Sequence, residues 1–256
     1  GRIHPAIGRD AETRAILQIL ARKNKCNPVL VGPPGTGKTA IVEGLVCRIV
    51  EGDVPEEMKS LRVYSLEVAS LTAGAGTYGD FEQRLKDIIS ELQRDCNAVL
   101  FIDEMHLLMG AGGGGMNAAN ILKPAMARDA VKIIGATTTD EYVRFIEKDA
   151  AFERRLQRVD IDEPDELSSI SIVRGIKQRY EDFHHVKVLD EAVVAAVQLS
   201  RRYITDHYLP DKAISLIDEA AARMRIDRSS CPAELDDLRR HIRNKEIERE
   251  SILRDE

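Results

Sequence analysis

The segment from Gly32 to Thr39 combines closely spaced glycines with a lysine and a hydroxyl side chain. It reads Gly32-Pro33-Pro34-Gly35-Thr36-Gly37-Lys38-Thr39 and matches G-x-x-x-x-G-K-[ST] at every fixed position. Glycines allow backbone N–H groups to curl around phosphate oxygens, and a helix that begins here adds the positive end of its dipole. The Lys38 amine suits β- and γ-phosphates and the Thr39 hydroxyl suits Mg²⁺, so the segment predicts a nucleotide phosphate site.

Two acids follow an apolar run further along the chain, in the order Ala98-Val99-Leu100-Phe101-Ile102-Asp103-Glu104. A buried strand that ends in acids brings Asp103 near the Mg²⁺ of a phosphate site, through water. Glu104 is then free to orient or deprotonate an attacking water. A protein that only binds a nucleotide has no need of Glu104, so the pair favours hydrolysis.

Hydroxyls end the next apolar run, and two arginines lie between that run and the last one. Thr138 comes at the end of one run and is suited to hydrogen-bond the γ-phosphate or the attacking water; the alternative is a cap for the helix that starts at Asp140. Arg154 and Arg155 either neutralise the charge that phosphoryl transfer develops or stay solvated or salt-bridged on the surface. If they act on a neighbour's nucleotide, the active form is a ring.

Short β-rich runs alternate with amphipathic stretches up to about Pro164, which predicts an α/β fold with a parallel sheet flanked by helices. The predicted strands are residues 28–32, 62–68, 98–103, 131–137 and 156–161. The predicted helices are residues 11–22, 39–51, 80–94 and 118–128. Ligands of such a sheet bind at the carboxyl ends of its strands, where the motifs above are found.

The chain changes character after Pro164. Residues 166–183, 190–203 and 212–228 read as helices, and the second has an apolar face made of Val193, Val194, Val197 and Leu199. We therefore expect a large α/β nucleotide-binding subdomain over residues 1–163 and a small all-helical subdomain over residues 164–232.

The last stretch, residues 233–256, is highly charged, with Leu235, Leu238 and Ile242 at coiled-coil spacing. We interpret it as the start of a truncated helix or coiled coil, with a solvated tail as the alternative. Because the chain begins at Gly1 and ends within this helical pattern, we expect it to be a segment of a longer protein.

Composition limits the class of partner. The 256 residues are 43% hydrophobic and 31% charged with a net charge of -6, so no basic footprint for nucleic acid is evident. The longest apolar stretch, residues 98–102, is far shorter than the roughly 18–20 residues of a membrane span. Four scattered cysteines predict free thiols in a reducing compartment, cytoplasmic with an organelle as the alternative. His184 and His185 lack further ligands at useful spacing, which predicts a surface pair at a helix end rather than a metal site.

Taken together, the motifs resemble the first ATPase module of the ClpB-type protein disaggregases, which are AAA+ proteins of the Clp family. The resemblance runs from Ile7 to about Leu238. It rests on the phosphate loop with Ala40-Ile41-Val42-Glu43-Gly44-Leu45, on Leu100-Phe101-Ile102-Asp103-Glu104-Met105-His106, on Gly135-Ala136-Thr137-Thr138, on Glu147-Lys148-Asp149-Ala150-Ala151-Phe152-Glu153-Arg154-Arg155 and on Leu209-Pro210-Asp211-Lys212-Ala213-Ile214.

The resemblance implies an AAA+ P-loop NTPase fold and a hexameric ring that uses ATP and Mg²⁺ to thread polypeptide through a central pore. Its implied partners are unfolded or aggregated polypeptides and co-chaperones, with neither nucleic acid nor membrane among them. The C-terminal helix would begin an inserted regulatory coiled coil.

The resemblance also assigns roles to single residues. It makes Asp103 the magnesium acid, Glu104 the catalytic acid, Thr138 the first sensor, and Arg154 and Arg155 the trans-acting arginines. The phosphate loop is Gly32 to Thr39. The segment that wraps the adenine is Ile7-Gly8-Arg9, and Asp211-Lys212 occupies the place of the second sensor, with helix capping as the alternative.

The substrate-gripping pore loop departs from the family pattern. The family reads Gly-Ala-Lys-Tyr-Arg-Gly, whereas this chain reads Gly74-Ala75-Gly76-Thr77-Tyr78-Gly79, with the aromatic one position late and the basic neighbours gone. Tyr78 is therefore either a gripping aromatic side chain or part of an altered loop. The next loop, residues 110–117, is filled with glycine.

We expect an ATP-driven protein unfoldase of the disaggregase type. The nearest alternative is a related Clp unfoldase that feeds a peptidase. The acidic charge balance argues against an AAA+ DNA motor, and Glu104 argues against a scaffold that does not hydrolyse ATP.

Overall fold

A computed structural model describes residues 7–72, 78–109, 119–127, 131–229 and 233–254. Residues 27–160 contain five parallel strands in the order β2-β3-β4-β1-β5. The strands are β1 (Asn27–Val31), β2 (Arg62–Leu66), β3 (Ala98–Ile102), β4 (Lys132–Thr137) and β5 (Leu156–Asp160). The predicted parallel sheet is confirmed, and its strand ends differ from the prediction by one or two residues.

Helices alternate with these strands and then continue alone. They are α1 (Asp10–Leu20), α2 (Lys38–Glu51), α3 (Val68–Thr72), α4 (Tyr78–Leu92), α5 (Ala119–Ala127), α6 (Thr139–Glu141), α7 (Ala150–Glu153), α8 (Glu166–His184), α9 (Asp190–Tyr203), α10 (Asp211–Ser229) and α11 (Ala233–Arg254). Glu56–Met58 and Met105–Met109 form 3-10 turns, and Tyr142–Ile146 forms a π-turn.

The sheet separates two apolar clusters because successive side chains of a strand point to opposite faces. Along β1, Val29 and Val31 belong to one cluster and Leu30 to the other. Along β3, Leu100 packs with the first cluster and Phe101 with the second. Strands buried on both faces explain the continuous apolar runs in the sequence.

The last helices before α11 pack on one another around a separate apolar cluster. Val193 and Val197 are fully buried there, as predicted for α9. Leu199 was wrongly assigned to the same face, since 49% of it is exposed. The buried face continues at Ser200, three residues after Val197, which is the helical spacing.

The charged C-terminal stretch forms the helix α11. Leu238 and Ile242 lie on it with 57% and 55% of their surface exposed, and Ile247 with 61%. Leu238 and Ile242, two of the three residues at coiled-coil spacing, are therefore presented to solvent.

Three local predictions are corrected by the structure. Val68 was placed in the second strand but begins α3, after Glu67. The short helix α7 is absent from the prediction because its four residues carry no detectable periodicity. His184 was predicted to lie on the surface, yet it is only 2% exposed.

Within the described ranges, none of the helices combines the length and the apolar character that a membrane span requires.

Candidate active site

The phosphate loop leaves β1 and enters α2 through glycines in left-handed conformations. Gly35 has φ +78° and Gly37 has φ +89°, values that a residue with a Cβ adopts only under strain. Gly37 is the N-cap of α2, and neither a side-chain cap nor an acidic residue occupies the first turn of that helix. The first backbone N–H groups of α2 are therefore available to an anion.

Lys38 lies folded against the loop that precedes it. Its Nζ donates hydrogen bonds to the carbonyl oxygens of Gly32 at 2.9 Å and Pro33 at 2.8 Å. Burial lowers the pKa of Lys38, and the negative charges of Asp103 and Glu141 oppose that shift. The amine is thus held at the phosphate loop by contacts that a phosphate can replace.

Thr39 and Asp103 are brought together from different elements. The Thr39 hydroxyl donates a hydrogen bond to Asp103 Oδ2 at 2.7 Å, and the other carboxylate oxygen accepts one from the Glu104 backbone N–H at 2.9 Å. The first residue lies in the first turn of α2 and the second directly follows β3. A hydroxyl and a carboxylate at this separation form a hard oxygen pair of the kind that Mg²⁺ prefers.

Glu104 has an unusual backbone conformation. Its φ is +49°, in the left-handed region, although it is not a glycine. Its carbonyl accepts a hydrogen bond from the Leu107 backbone N–H at 2.9 Å, which closes the turn after β3. Strained non-glycine residues concentrate at functional sites, and the exposed side chain of Glu104 lines the same cleft as Lys38.

Thr138 lies on this cleft and also caps a helix. It follows β4, the neighbour of β3 in the sheet, and its side chain accepts a hydrogen bond from the Glu141 backbone N–H in a capping box at the start of α6. The Thr138 hydroxyl in turn donates to Glu141 Oε2 at 2.7 Å. The structure thus combines the cleft position and the capping contact that the sequence offered as alternatives.

The cleft lies between the sheet and the helices that follow it. Its volume is about 590 Å³, which is in the range of roughly 300–1,000 Å³ for small-molecule sites. One wall carries the phosphate loop, Asp103, Glu104 and Thr138. The opposite wall comes from α8 and α10 and includes Ile172, Ile176, Arg179, Tyr180, Asp211 and Ile214.

A smaller apolar cavity of about 120 Å³ adjoins the cleft. Ile7, Ile41, Ile172 and Ile176 line it, and this lining suits a flat apolar base. Gly8, with φ +71°, turns the chain from Ile7 into α1.

Arg9 has a structural task beside that cavity. Its guanidinium pairs with Glu12 at 2.7 Å and donates to the carbonyl oxygens of Thr36 and Asp162 at 3.1 and 3.0 Å. The segment before α1 is thereby tied both to the phosphate loop and to the residues after β5.

Asp211 and Lys212, the predicted second-sensor pair, point to different places. Asp211 lines the cleft, and a Cβ on Gly35 would lie 2.8 Å from its Cβ. Lys212 is only 7% exposed, and its Nζ donates to the Ile204 carbonyl at 3.1 Å and lies 3.5 Å from Glu163. The Lys212 amine is therefore used inside the helical subdomain and does not suit a sensor.

Sequence reasoning missed several residues of the cleft: Glu43, Glu141, Ile172, Ile176, Arg179 and Pro210. One signal was present in α8, where Ile170 and Val173 face the helical core while Ile172 and Ile176 form a second apolar stripe. A helix with two apolar faces has two partners to cover, and the second face here lines the apolar cavity beside the cleft.

Arg154 and Arg155 lie away from the cleft of their own chain. They directly follow α7 and precede β5, whose first residue Leu156 pairs with Asn27 at the start of β1. They are therefore at the amino end of the sheet, whereas the phosphate loop follows its carboxyl end. Arg154 is exposed, and the half-buried Arg155 donates a hydrogen bond to the Ala151 carbonyl.

The pore-loop prediction falls largely outside the described residues. Residues 73–77 and 110–118 are not described, and Tyr78 is described only as the first residue of α4.

The histidine pair belongs to the helical subdomain. His184 Nε2 lies 2.5 Å from Asp218 Oδ1, and His185 ends α8 in the left-handed conformation. Among the described residues, no group of three or more metal-ligating side chains is found.

Comparison with protein families matches two models to successive parts of the chain. Residues 28–162, more than half of the chain, match the model described as "ATPase family associated with various cellular activities (AAA)". Residues 165–256 match the model of the AAA lid domain. The predicted AAA+ fold is thus confirmed.

The similar curated proteins are ClpB chaperones. The chain is 58% identical to one from Bacteroides thetaiotaomicron over its whole length and 53% identical to one from Brucella melitensis over 98% of its length. It spans 30% of the first relative and 29% of the second.

Similar solved structures are those of Hsp104. One is a complex of S. cerevisiae Hsp104 with ADP, with a TM-score of 0.84 and 47% identity over 90% of this chain and 40% of the other. Another is a closed-state reconstruction of Hsp104 with ATPγS and FITC-casein, with a TM-score of 0.83 at the same identity and coverage.

Proposed function

Because the chain belongs to the AAA family of ATPases, we propose that it binds ATP with Mg²⁺ in the cleft beside the phosphate loop and hydrolyses it to ADP and phosphate. The observation that carries this proposal is the hydrogen bond between Thr39 and Asp103, 2.7 Å long, in a cleft that Lys38 and Glu104 also line. Phosphoryl transfer to water requires groups that bind phosphate, groups that hold Mg²⁺ and a carboxylate near the water. The cleft supplies the start of α2 with Lys38, the oxygens of Thr39 and Asp103, and Glu104.

The residues present fit both ATP and Mg²⁺. The apolar cavity beside Ile7 and Ile176 accepts the base, and the uncapped start of α2 accepts the phosphates. Thr39 and Asp103 would hold the metal ion, Asp103 through water. When bound, Mg²⁺ neutralises phosphate charge and orients the phosphate chain.

The remaining side chains have separate tasks. Lys38 exchanges its contacts with Gly32 and Pro33 for phosphate oxygens and stabilises the negative charge there. Glu104 accepts a proton from water as the water oxygen attacks the γ-phosphorus, and the bond to ADP breaks with its electron pair on the leaving oxygen. Thr138 lies on the same cleft and contacts the attacking water.

Arg154 and Arg155 act on the nucleotide of a neighbouring copy. Their position at the amino end of the sheet supports this assignment, because the cleft of their own chain is at the opposite end. Copies of the chain then form a ring in which each arginine pair completes the next site.

The whole protein is larger than this chain, which spans 30% of the first ClpB relative. We infer that the chain is one ATPase module of a hexameric disaggregase that threads unfolded or aggregated polypeptide, with co-chaperones as further partners and the cytoplasm as its location. Its likeness to ClpB chaperones and to Hsp104 solved with casein supports this, and these relatives favour it over a Clp unfoldase that feeds a peptidase.

Further parts of that inference concern the chain ends and the pore. Residues 1–163 form the nucleotide-binding subdomain, residues 164–232 the small helical subdomain, and residues 233–256 begin the coiled-coil domain. Tyr78 grips the substrate polypeptide from the pore loop.

The test is ATP hydrolysis across a series of protein concentrations, with the parent chain and Glu104→Gln. Activity per chain is expected to rise with concentration, since the arginines of one copy serve another. Glu104→Gln is expected to keep nucleotide affinity and to lose turnover. Turnover by Glu104→Gln at the parent rate would overturn the assignment of the catalytic acid.

A further inference from the structure

Glu141 closes one side of the nucleotide cleft and contacts Thr138 repeatedly. Its Oε2 accepts hydrogen bonds from the Thr138 hydroxyl at 2.7 Å and from the Thr138 backbone N–H at 3.2 Å. The Thr137 hydroxyl is a third donor, at 3.3 Å. One carboxylate oxygen therefore receives several donors from the residues that end β4 and begin α6.

His106 holds Glu141 from the other side. Its Nδ1 lies 3.0 Å from Glu141 Oε2 and 3.2 Å from the Thr137 hydroxyl. The imidazole is only 7% exposed and stacks on Phe145 with ring centroids 6.2 Å apart. An ionised carboxylate only accepts hydrogen bonds, so the nitrogen that faces Glu141 carries a proton.

These contacts join the segment that follows Glu104 to the segment that contains Thr138. His106 lies in the 3-10 turn that follows Glu104, and Thr138 follows the adjacent strand β4. The contact between His106 and Glu141 therefore fixes the distance between the catalytic carboxylate's segment and the hydroxyl on the neighbouring strand.

The charge state of Glu141 decides where the Thr138 proton goes. Burial acts to raise the pKa of Glu141, but hydrogen bonds from the Thr138 hydroxyl and backbone, the nearby His106 and the Thr137 hydroxyl together hold that pKa below its usual value. The carboxylate is ionised at neutral pH and accepts a hydrogen bond from the Thr138 hydroxyl, which has only one proton to donate. The Thr138 oxygen then offers only lone pairs to the cleft.

A hydroxyl that can only accept a hydrogen bond from the cleft is suited to bind water and is not suited to bind a phosphate oxygen. A γ-phosphate oxygen accepts hydrogen bonds and repels a second acceptor, whereas water has two protons to donate. The water donates one hydrogen bond to Glu104 and the other to Thr138, which leaves a lone pair of the water free to attack the phosphorus.

We propose that Glu141, braced by His106, is a positioning residue that makes Thr138 an acceptor for the attacking water. The inference rests on the proposed ATP hydrolysis and deepens it. In the step itself the water oxygen bonds to the γ-phosphorus, one proton passes to Glu104, and the bond to the ADP oxygen breaks with its electron pair on ADP. Thr138 keeps its own proton throughout and donates it in the hydrogen bond to Glu141.

A double-mutant cycle tests this inference. Thr138→Val removes the hydroxyl and Glu141→Gln removes the charge that orients it; each is expected to lower kcat about 10–100-fold, the usual cost of losing an orienting partner. The double variant is expected to be no slower than Thr138→Val alone, because both changes remove the same contact with water. Thr138→Ser is expected to keep most of the turnover.

A matched capping variant separates positioning from stability. Asp165 caps α8 through a hydrogen bond to the Ser168 backbone N–H at 2.8 Å, away from the cleft. Asp165→Ala is expected to lower the midpoint of thermal unfolding and leave kcat unchanged. ADP alone has no attacking water, so its affinity in Glu141→Gln is the reference for the next measurement.

Binding of ADP with aluminium fluoride supplies a readout that does not depend on turnover, because this complex includes the position of the attacking water. Both Thr138→Val and Glu141→Gln are expected to weaken it relative to ADP alone. Parent kcat in Glu141→Gln, strictly multiplicative losses in the cycle, or parent affinity for the aluminium fluoride complex would each overturn the inference. Absence of turnover in the parent chain would instead overturn the proposed ATPase function.

Discussion

The side-chain amide of Asn27 donates a hydrogen bond to the backbone carbonyl of Arg155 at 3.2 Å, and its oxygen accepts one from the Ile133 backbone N–H at 2.8 Å. Asn27 begins β1, so these bonds fix Arg155 at the amino end of the sheet. The phosphate loop begins only after the five residues of β1, a length of about 16 Å. Arg155 is thus separated from the phosphate loop of its own chain by the length of β1, which supports the proposal that it acts on another copy.

Arg155→Ala is expected to lower ATP turnover by about 10³-fold or more, as in other systems in which an arginine neutralises transition-state charge. Mixing Arg155→Ala with Glu104→Gln is expected to recover part of the activity. In such a mixture, an intact site of the first variant meets an intact arginine of the second. The measurement is steady-state phosphate release by each variant and by the mixture.

A matched control for the arginine change is Arg22→Ala. Arg22 lies near the same end of the sheet, where it donates to the Gln157 side chain at 3.2 Å. It is expected to keep parent activity. Full turnover in Arg155→Ala, or a mixture no faster than its components, would make the arginine pair structural.

Glu104→Gly is expected to stabilise the fold while it abolishes hydrolysis. A left-handed backbone costs a residue with a Cβ about 1–2 kcal/mol, and glycine returns about 0.5–1 kcal/mol of that as chain entropy. A net gain of roughly 0.5–1 kcal/mol is therefore expected in the free energy of unfolding by denaturant.

His185→Gly provides the comparison for that gain. His185 has φ +56° at the end of α8, outside the cleft, and is expected to be stabilised by glycine without loss of turnover. If Glu104→Gly proved less stable than the parent while His185→Gly gained stability, the side chain of Glu104 would itself contribute to folding.

Arg179→Ala is expected to weaken nucleotide binding. Arg179 is an exposed cation of α8 that lines both the cleft and the apolar cavity, opposite the phosphate loop. Loss of one charge-assisted hydrogen bond costs roughly 1.5–3 kcal/mol, which corresponds to about a 10–100-fold rise in the dissociation constant. Titration with a fluorescent ADP analogue measures it.

Arg174→Ala is the matched variant for this helix. Arg174 pairs with Asp190 through two hydrogen bonds of 2.7 and 2.6 Å and does not line the cleft. It is expected to bind ADP like the parent. Equal affinity in Arg179→Ala would remove this arginine from the binding site.

Lys123→Met is expected to destabilise the fold in a pH-dependent way. The Lys123 ammonium hydrogen-bonds Asp149, the N-cap of α7, and holds the pKa of that carboxyl below its usual range. The contribution is therefore complete above the ordinary carboxyl pKa of about 3.9 and disappears as the pH falls through the lower folded value. The gap between the unfolding midpoints of parent and variant is expected to be full at pH 7 and to shrink below about pH 4.

The exposed pair of Lys59 and Glu56 serves as the comparison, at 2.6 Å. Lys59→Met is expected to change stability by less than about 1 kcal/mol, the usual limit for such surface pairs. A gap for Lys123→Met that stayed constant down to pH 3 would show that the lysine acts through packing and not through its charge.

The central strands β1, β3 and β4 were predictable because they are buried on both faces and therefore appear as largely apolar runs, whereas the edge strands β2 and β5 are partly exposed and more polar. The meeting of Lys38, Thr39 and Glu104 at one cleft was predictable because each of them closely follows a strand of the same parallel sheet. The residue types and their places after the strands are visible in the sequence, so this prediction needs no distances.

The wall of the cleft opposite the phosphate loop was not predictable in the same way. Arg179 and Ile176 lie on a helix whose distance from the phosphate loop depends on tertiary packing. The link between His106 and Glu141 likewise joins residues that follow different strands. Lys212 was assigned to the cleft by its place in the sequence, but one residue along a helix turns a side chain by about 100°, which directs this one inward.

The first residue of α10, Asp211, lies directly against Gly35 of the phosphate loop. From there α10 extends for 19 residues, a length of about 28 Å. A rigid helix that rests at one end against the phosphate loop is a lever arm, in which displacement grows with distance from the fulcrum. Any shift of Gly35 against Asp211 would therefore be larger at the far end of this helix than at the phosphates.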